Sequence, residues 1–173
     1  MKGVIVMCLA SLVTEKFGKP KWEATLEKAG LPRTTFFLAT QDIEDAVAMK
    51  IIGSACEVLN ITMEQAAMAF GDYWVNEFAV KIYQPFYRGP KSAKEFLLNL
   101  DKVHVVTTQT VANAHPPRFD YDWKDEKTLI MTYKSPRGLI DFFIGLAHGV
   151  GKHFNEELKI TKLSSEKVEI IFK

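Results

Sequence analysis

Net charge is almost missing from this sequence: 22 lysines and arginines stand against 21 aspartates and glutamates, a formal +1 at pH 7. No global field therefore points toward nucleic acid or an anionic membrane, and a partner must be chosen by local shape. Cysteine is scarce as well. Cys8 and Cys56 lie far apart and form no CxxC or Cys/His metal spacing, which suits a reducing compartment and argues against a zinc site. No apolar run is long enough to insert in a bilayer. The apolar start MKGVIVMCLASLV meets Glu15 and Lys16, whereas a spanning helix needs about 20 apolar residues. It also lacks a small-residue cleavage site, so it reads as a first helix and not as a signal peptide. Repeats, low-complexity tracts and Pro/Gly/Ser linkers are absent too, which leaves a second domain no boundary to occupy. Residues 1–173 are accordingly expected to form one soluble, cytoplasmic domain. No paired carboxylates, Ser-His-Asp set or Cys-His dyad can be argued from spacing, so an enzyme is disfavoured.

What is present is a clear order of elements. Residues 2–17 run helical to Gly18, residues 21–28 form a short helix ended by Gly30, and Asp42, Glu44 and Asp45 open a third helix that Asn60 can close. Thr62 and Gln65 form a capping box for a fourth, which Gly71 can bend before DYWVNEFAVKIY continues it. Ser92 and Glu95 form a second capping box and open a helix, 93–112, that contains His104 and stops before Pro116. Beyond Pro117 the period changes. RFDYDW puts Phe119, Tyr121 and Trp123 on one face, and TLIMTYKS does the same with Leu129, Met131 and Tyr133. A helix over roughly 138–155 carries Leu139, Phe142, Phe143, Leu146, Val150 and Phe154, and KITKL with VEIIF closes the chain as a hairpin. The predicted class is α+β: a helical N-terminal half, then a four-stranded antiparallel sheet with one inserted helix.

Two stretches carry chemistry. His104 shares a helical face with Leu97, Leu100, Thr108 and Val111, so its ring points into the domain. A lone inward histidine is commonly just a core residue, but imidazole is also a common haem iron ligand, and an apolar face favours a haem over a hydrated ion. In YKSPR, Pro136 biases Ser135 to an extended form, which predicts Tyr133, Ser135 and Arg137 on one side. A phenol, a hydroxyl and a guanidinium together suit a pair of carboxylates, such as the two propionates of a haem. His115, His148 and His153 read as loop or helix-surface residues. The Gly145/Gly149/Gly151 spacing reads as a close-packing helix face, not a phosphate loop.

With LDKVH, YKSPR, HPPRF, GLAHGVGKHF and the Trp22–Gly30 segment together, the chain resembles the haem nitric oxide/oxygen binding family, the H-NOX domains, also found as the sensor part of soluble guanylate cyclases. The resemblance covers essentially the whole chain. It implies a haem b between the two halves, His104 as proximal iron ligand, Tyr133, Ser135 and Arg137 as propionate clamp, and Pro117 as the residue that presses on and distorts the haem. In oxygen-binding members a distal tyrosine donates to the bound gas; here Phe142 stands at the matching position. The remaining distal wall it implies, Ile5, Leu9, Trp74, Phe78 and Leu146, is apolar apart from the Trp74 indole N–H. Bound oxygen acquires charge and needs a donor, whereas nitric oxide depends less on one. A nitric oxide sensor is therefore implied, with carbon monoxide as a weaker ligand and rupture of the iron–His104 bond as the signal. The resemblance further implies a separate bacterial partner, a histidine kinase first and a cyclic-di-GMP enzyme second. An oxygen or redox sensor using Trp74, Tyr73 or Tyr83, and a haem-free interaction module, stay open from the residues alone.

Overall fold

The computed structural model describes residues 1–109 and 111–173. The chain forms two compact units, Met1–Ala66 and Ala67–Lys173. The first holds three helices, α1 (Gly3–Phe17), α2 (Lys19–Lys28) and α3 (Asp45–Leu59). Their ends have local causes. Gly18, at φ 88°, sits between α1 and α2 in a region that other residues seldom enter. Pro20 follows in the first turn of α2, where a missing N–H costs no intrahelical bond. Asn60, at φ 54°, closes α3 in the left-handed region. Val6, Leu12, Val13, Leu26 and Ile51 are buried in this unit. The segment before α3 is tied to the first turn of α1 through Gly3 N–H to Gln41 O (2.8 Å) and Val4 N–H to Ala39 O (3.0 Å).

Helix α4 (Met63–Tyr73) opens on the expected reciprocal pair, Gln65 N–H to Thr62 Oγ1 (3.1 Å) and Thr62 N–H to Gln65 Oε1 (2.9 Å). Gly71 does not bend it. A Cβ there would overlap the Gly145 backbone, and one on Gly145 would overlap Ala67, so these glycines let two helices approach closely. The irregularity comes later, at Trp74–Phe78, a π turn closed by Ala79 N–H to Trp74 O. Short helices α5 (Ala79–Ile82) and α6 (Gln84–Arg88) follow.

The single helix expected around His104 is two helices, α7 (Ala93–Leu98) and α8 (Leu100–Thr108), which meet at Asn99. Only half of the second capping box forms: Glu95 N–H bonds Ser92 Oγ at 3.1 Å, but the Glu95 carboxylate takes the Lys91 N–H instead of that of Ser92. Helix α8 is short for a legible reason. Val103, Val105, Val106, Thr107 and Thr108 are β-branched and weak helix formers, and the Thr107 and Thr108 hydroxyls bond back to Val103 O and His104 O. Val111 lies beyond the helix end, so it does not extend the His104 face as a helical residue.

The sheet contains β1 (Arg118–Trp123), β2 (Thr128–Lys134), β3 (Leu158–Lys162) and β4 (Lys167–Phe172) in the order β1-β2-β4-β3, all antiparallel. Helix α9 (Ile140–His153) is inserted between β2 and β3. One sheet face supplies Leu129, Met131, Tyr133, Val168 and Ile170 to a core completed by Leu97 of α7 and Phe143, Ala147 and Val150 of α9. Trp123, expected on one face with Phe119 and Tyr121, lies at the strand end and is 38% exposed, with Lys94 Nζ 4.4 Å above its ring. Among the described residues no single helix is long and apolar enough to cross a membrane.

Candidate functional site

The His104 ring is half-buried on α8, against Phe119 of β1 with ring centres 5.7 Å apart. Its Nδ1 lies 2.9 Å from the Pro117 carbonyl. A carbonyl only accepts, so Nδ1 carries the proton, and in the neutral ring Nε2 keeps its lone pair. Burial pushes the imidazolium pKa down, against the opposing pulls of the Pro117 carbonyl and Asp101. The ring is therefore held neutral and in one tautomer, the form in which histidine ligates a metal. Pro117, expected to act through its ring, meets His104 through its backbone oxygen.

A second set of contacts ties α8 to β1. The Asp101 carboxylate, in the first turn of α8, accepts from Arg118 Nε and Nη2, both at 2.7 Å, and from Phe119 N–H at 3.0 Å. The Arg118 hydrogen bond holds the Asp101 carboxyl below its ordinary range. At the α7/α8 break the Tyr121 hydroxyl accepts from Asp101 N–H (3.2 Å) and donates to Leu97 O (3.1 Å). One side chain thus serves an orphaned donor and an orphaned acceptor at two helix ends. Neither Asp101 nor Tyr121 was singled out from the sequence. The signal available was Asp101 one helical turn before His104 in LDKVH.

The YKSPR trio is not one extended row. Tyr133 is the buried member, its ring packed among Phe119 and Phe143. Ser135 to Gly138 form a turn, with Gly138 N–H to Ser135 O (3.4 Å) and Gly138 at φ 62°. That turn brings Arg137 N–H to Ser135 Oγ (3.4 Å) and sends Arg137 Nη1 to His115 O (2.7 Å). The guanidinium consequently faces the loop that precedes Pro117, the same loop whose carbonyl holds His104.

Elsewhere in the second unit the rings form a continuous wall. Phe78 stacks on Trp74 (5.7 Å), Trp74 on Phe70 (5.8 Å), and Phe70 meets Phe142 edge-on (5.5 Å). Phe70 is an addition to the residues expected from sequence. Leu146 lies one turn after Phe142 on α9 and is likewise half-buried. Tyr83 stands beside Trp74 at 6.5 Å, and burial raises its pKa, so its phenol stays protonated. Ile5 and Leu9 belong to α1 of the first unit, half-buried and buried respectively. His115 is exposed, as expected. His153 is half-buried against Tyr87 and Asn76, not a surface residue. Among the described residues no three His, Cys, Asp or Glu side chains are grouped to hold a bare metal ion. A lone neutral imidazole fits iron whose other ligands come from a macrocycle.

A family model described as Haem-NO-binding matches residues 2–162. Soluble guanylate cyclase gcy-35 of Caenorhabditis elegans is 24% identical over 173 residues, 98% of this chain, and the chain spans 25% of that relative's length. Two solved structures share the fold. One is an oxygen-binding H-NOX domain related to soluble guanylate cyclases, with a TM-score of 0.85, 24% identity, and coverage of 100% of this chain and 95% of that one. The other is an H-NOX protein from S. oneidensis in the Fe(II)NO ligation state, at 0.87 and 18%, with 100% and 98% covered. With the family model matched over nearly the whole chain and the neutral histidine, helices and antiparallel sheet in place, the chain belongs to the haem-NO-binding (H-NOX) family, haem-based gas sensors related to soluble guanylate cyclase.

Proposed function

We propose that residues 1–173 work as one nitric oxide sensor module. His104 ligates the iron of a haem b, Tyr133, Ser135 and Arg137 hold its propionates, Pro117 presses on its face, and departure of His104 from the iron is the signal to a separate partner. The observation that carries this reading is the 2.9 Å contact between His104 Nδ1 and Pro117 O, which in the neutral ring leaves Nε2 as the ligating nitrogen. When bound, haem iron supplies the point at which a diatomic gas attaches.

The chain's own residues supply the rest. Tyr133, Ser135 and Arg137 offer a phenol, a hydroxyl and a guanidinium, donors suited to carboxylates. His104 would hold the iron through Nε2 while its Nδ1 bonds Pro117 O, and the other ties of α8 to β1 are the Asp101 and Tyr121 contacts. Because α8 has no fully buried residue, those few polar contacts decide whether it shifts. This is a two-state element that ligand binding can bias. Phe142, Phe78, Phe70 and Leu146 carry no hydroxyl to donate to bound oxygen, which supports nitric oxide over oxygen, with carbon monoxide weaker. A histidine kinase is the first choice of partner and a cyclic-di-GMP enzyme the second.

One observation favours an oxygen-binding reading: the Trp74 N–H and the protonated Tyr83 phenol are the donors beside this wall. Absorption spectra of the reduced, haem-loaded protein under argon, with nitric oxide, and in air decide the matter. A five-coordinate ferrous haem that gives a five-coordinate nitric oxide complex and no stable oxygen complex is the expected result. A stable oxygen complex overturns the selectivity, and failure to take up haem overturns the sensor.

A further inference from the structure

The π turn at Trp74–Phe78 contributes two rings to the aromatic wall, and a π turn is rarely left to itself. It adds a residue to the helix and costs hydrogen-bond quality, so it persists where neighbouring groups hold it, frequently at functional sites. The group that holds this one is Asn76. Its Nδ2 donates to Asp72 O (3.2 Å) and Asp72 Oδ1 (2.9 Å) one turn back, and to Gly149 O (3.1 Å) on α9. Its Oδ1 accepts from His153 Nδ1 (3.3 Å), also on α9. All three Nδ2 partners are acceptors and the Oδ1 partner a donor, so the amide is used on both sides.

The location makes these bonds consequential. Gly149 is one of the glycines that bring α9 close: a Cβ on it would lie 2.6 Å from Gly71 O and 3.2 Å from Val75 Cγ2. Asn76 therefore braces the π turn against the helix that carries Phe142 and Leu146. Without the brace, the turn can revert to α geometry, and dropping one residue from the helical count rotates the downstream residues by about 100°. Phe78, at the end of the turn, and Tyr83 beyond it would then lose their present stacking on and beside Trp74.

We infer that Asn76 is a positioning residue for the gas-facing wall, holding Trp74 and Phe78 through the π turn's contact with α9. This rests on the haem sensor reading above. The test compares Asn76→Leu, which keeps bulk and removes the amide, with Lys152→Met, which removes only the neighbouring exposed pair between Lys152 Nζ and Asp72 Oδ2 (2.6 Å). Amide hydrogen exchange over residues 74–83 is measured in the haem-free and haem-loaded chains, together with carbon monoxide and nitric oxide dissociation rates and thermal melting. Expected is an exchange rate about tenfold faster over 74–83 in Asn76→Leu, the factor for one lost buried hydrogen bond. A severalfold change in a gas dissociation rate should accompany it, with Lys152→Met unchanged in both. If the unaltered chain takes up haem but Asn76→Leu leaves exchange or gas rates unchanged, the inference falls and the sensor reading stands. If the unaltered chain takes up no haem, both fall. Should Asn76→Leu not fold, Asn76→Ser shortens the donor out of reach of Gly149 and is held to the same readouts.

Discussion

Replacing Asp101 by alanine tests whether α8 is held by the few polar contacts assigned to it. The change removes the acceptor of the Phe119 N–H, a part-buried bond of 3.0 Å to a charged group, together with the two Arg118 bonds of 2.7 Å. The Arg118 side chain is largely exposed, so its ion pair is screened by solvent and contributes less than the Phe119 bond. The Phe119 N–H loses a bond of the charged class, about 1.5–3 kcal/mol. A loss on the order of 2 kcal/mol follows, which raises the open population of α8 about 30-fold. Urea denaturation reads the first number, and hydrogen exchange of the α8 amides reads the second. The effect has a pH signature with a determined sign. The folded pKa of Asp101 is depressed, chiefly by Arg118, so its contribution is complete above the unfolded carboxylate value of about 3.9 and is lost as pH falls through the folded pKa. The gap between the wild-type chain and Asp101→Ala should hold constant from pH 6 to 8 and close below about pH 4. Unchanged α8 exchange at pH 7, or a gap that widens on acidification, would refute the reasoning.

The other predictions concern the site and the helix crossing. His104→Gly should abolish the normal five-coordinate ferrous haem spectrum and leave the partner's response fixed, and an unchanged spectrum would remove His104 from the iron. Phe142→Tyr, on the wall beside Phe70, should stabilise an oxygen complex in air. Absence of that spectrum would point to Trp74 or another donor as the determinant. Gly145→Ala should destabilise the chain by about 1–3 kcal/mol or more, because its Cβ meets the Ala67 backbone, which cannot yield as a flexible side chain can. A urea midpoint equal to that of the unaltered chain would show that α4 and α9 can separate at no cost.

Much of the fold was legible because it is governed by local signals. Gly18, Asn60 and the Thr62/Gln65 pair act within a turn of their own positions, and Phe119, Leu129, Met131 and Phe143 declare their faces by period alone. By counting, His104 could be placed on one helical face with Leu100 and Thr108, though Leu97 and Val111 of the expected face fall outside α8. The tautomer that makes it a candidate ligand could not be read that way, because the Pro117 carbonyl reaches it from 13 residues away. The break at Asn99 was hidden for a similar reason. Nothing in LLNLDK forbids a helix there, and the Tyr121 hydroxyl that serves both ends comes from a strand.

By itself, then, the sequence determined the α+β class, the four strands with their inserted helix, the glycine-lined helix face and the family, through patterns that repeat every two or every 3.6 residues and through motifs of adjacent residues. Only the tertiary structure decided that α8 is tied to β1 by polar contacts, that Arg137 turns toward His115, and that the π turn carrying two rings of the wall is bonded to α9 through Asn76. Each of these depends on hydrogen bonds between groups distant in the chain. Such bonds are satisfied or lost by packing, which no local pattern records.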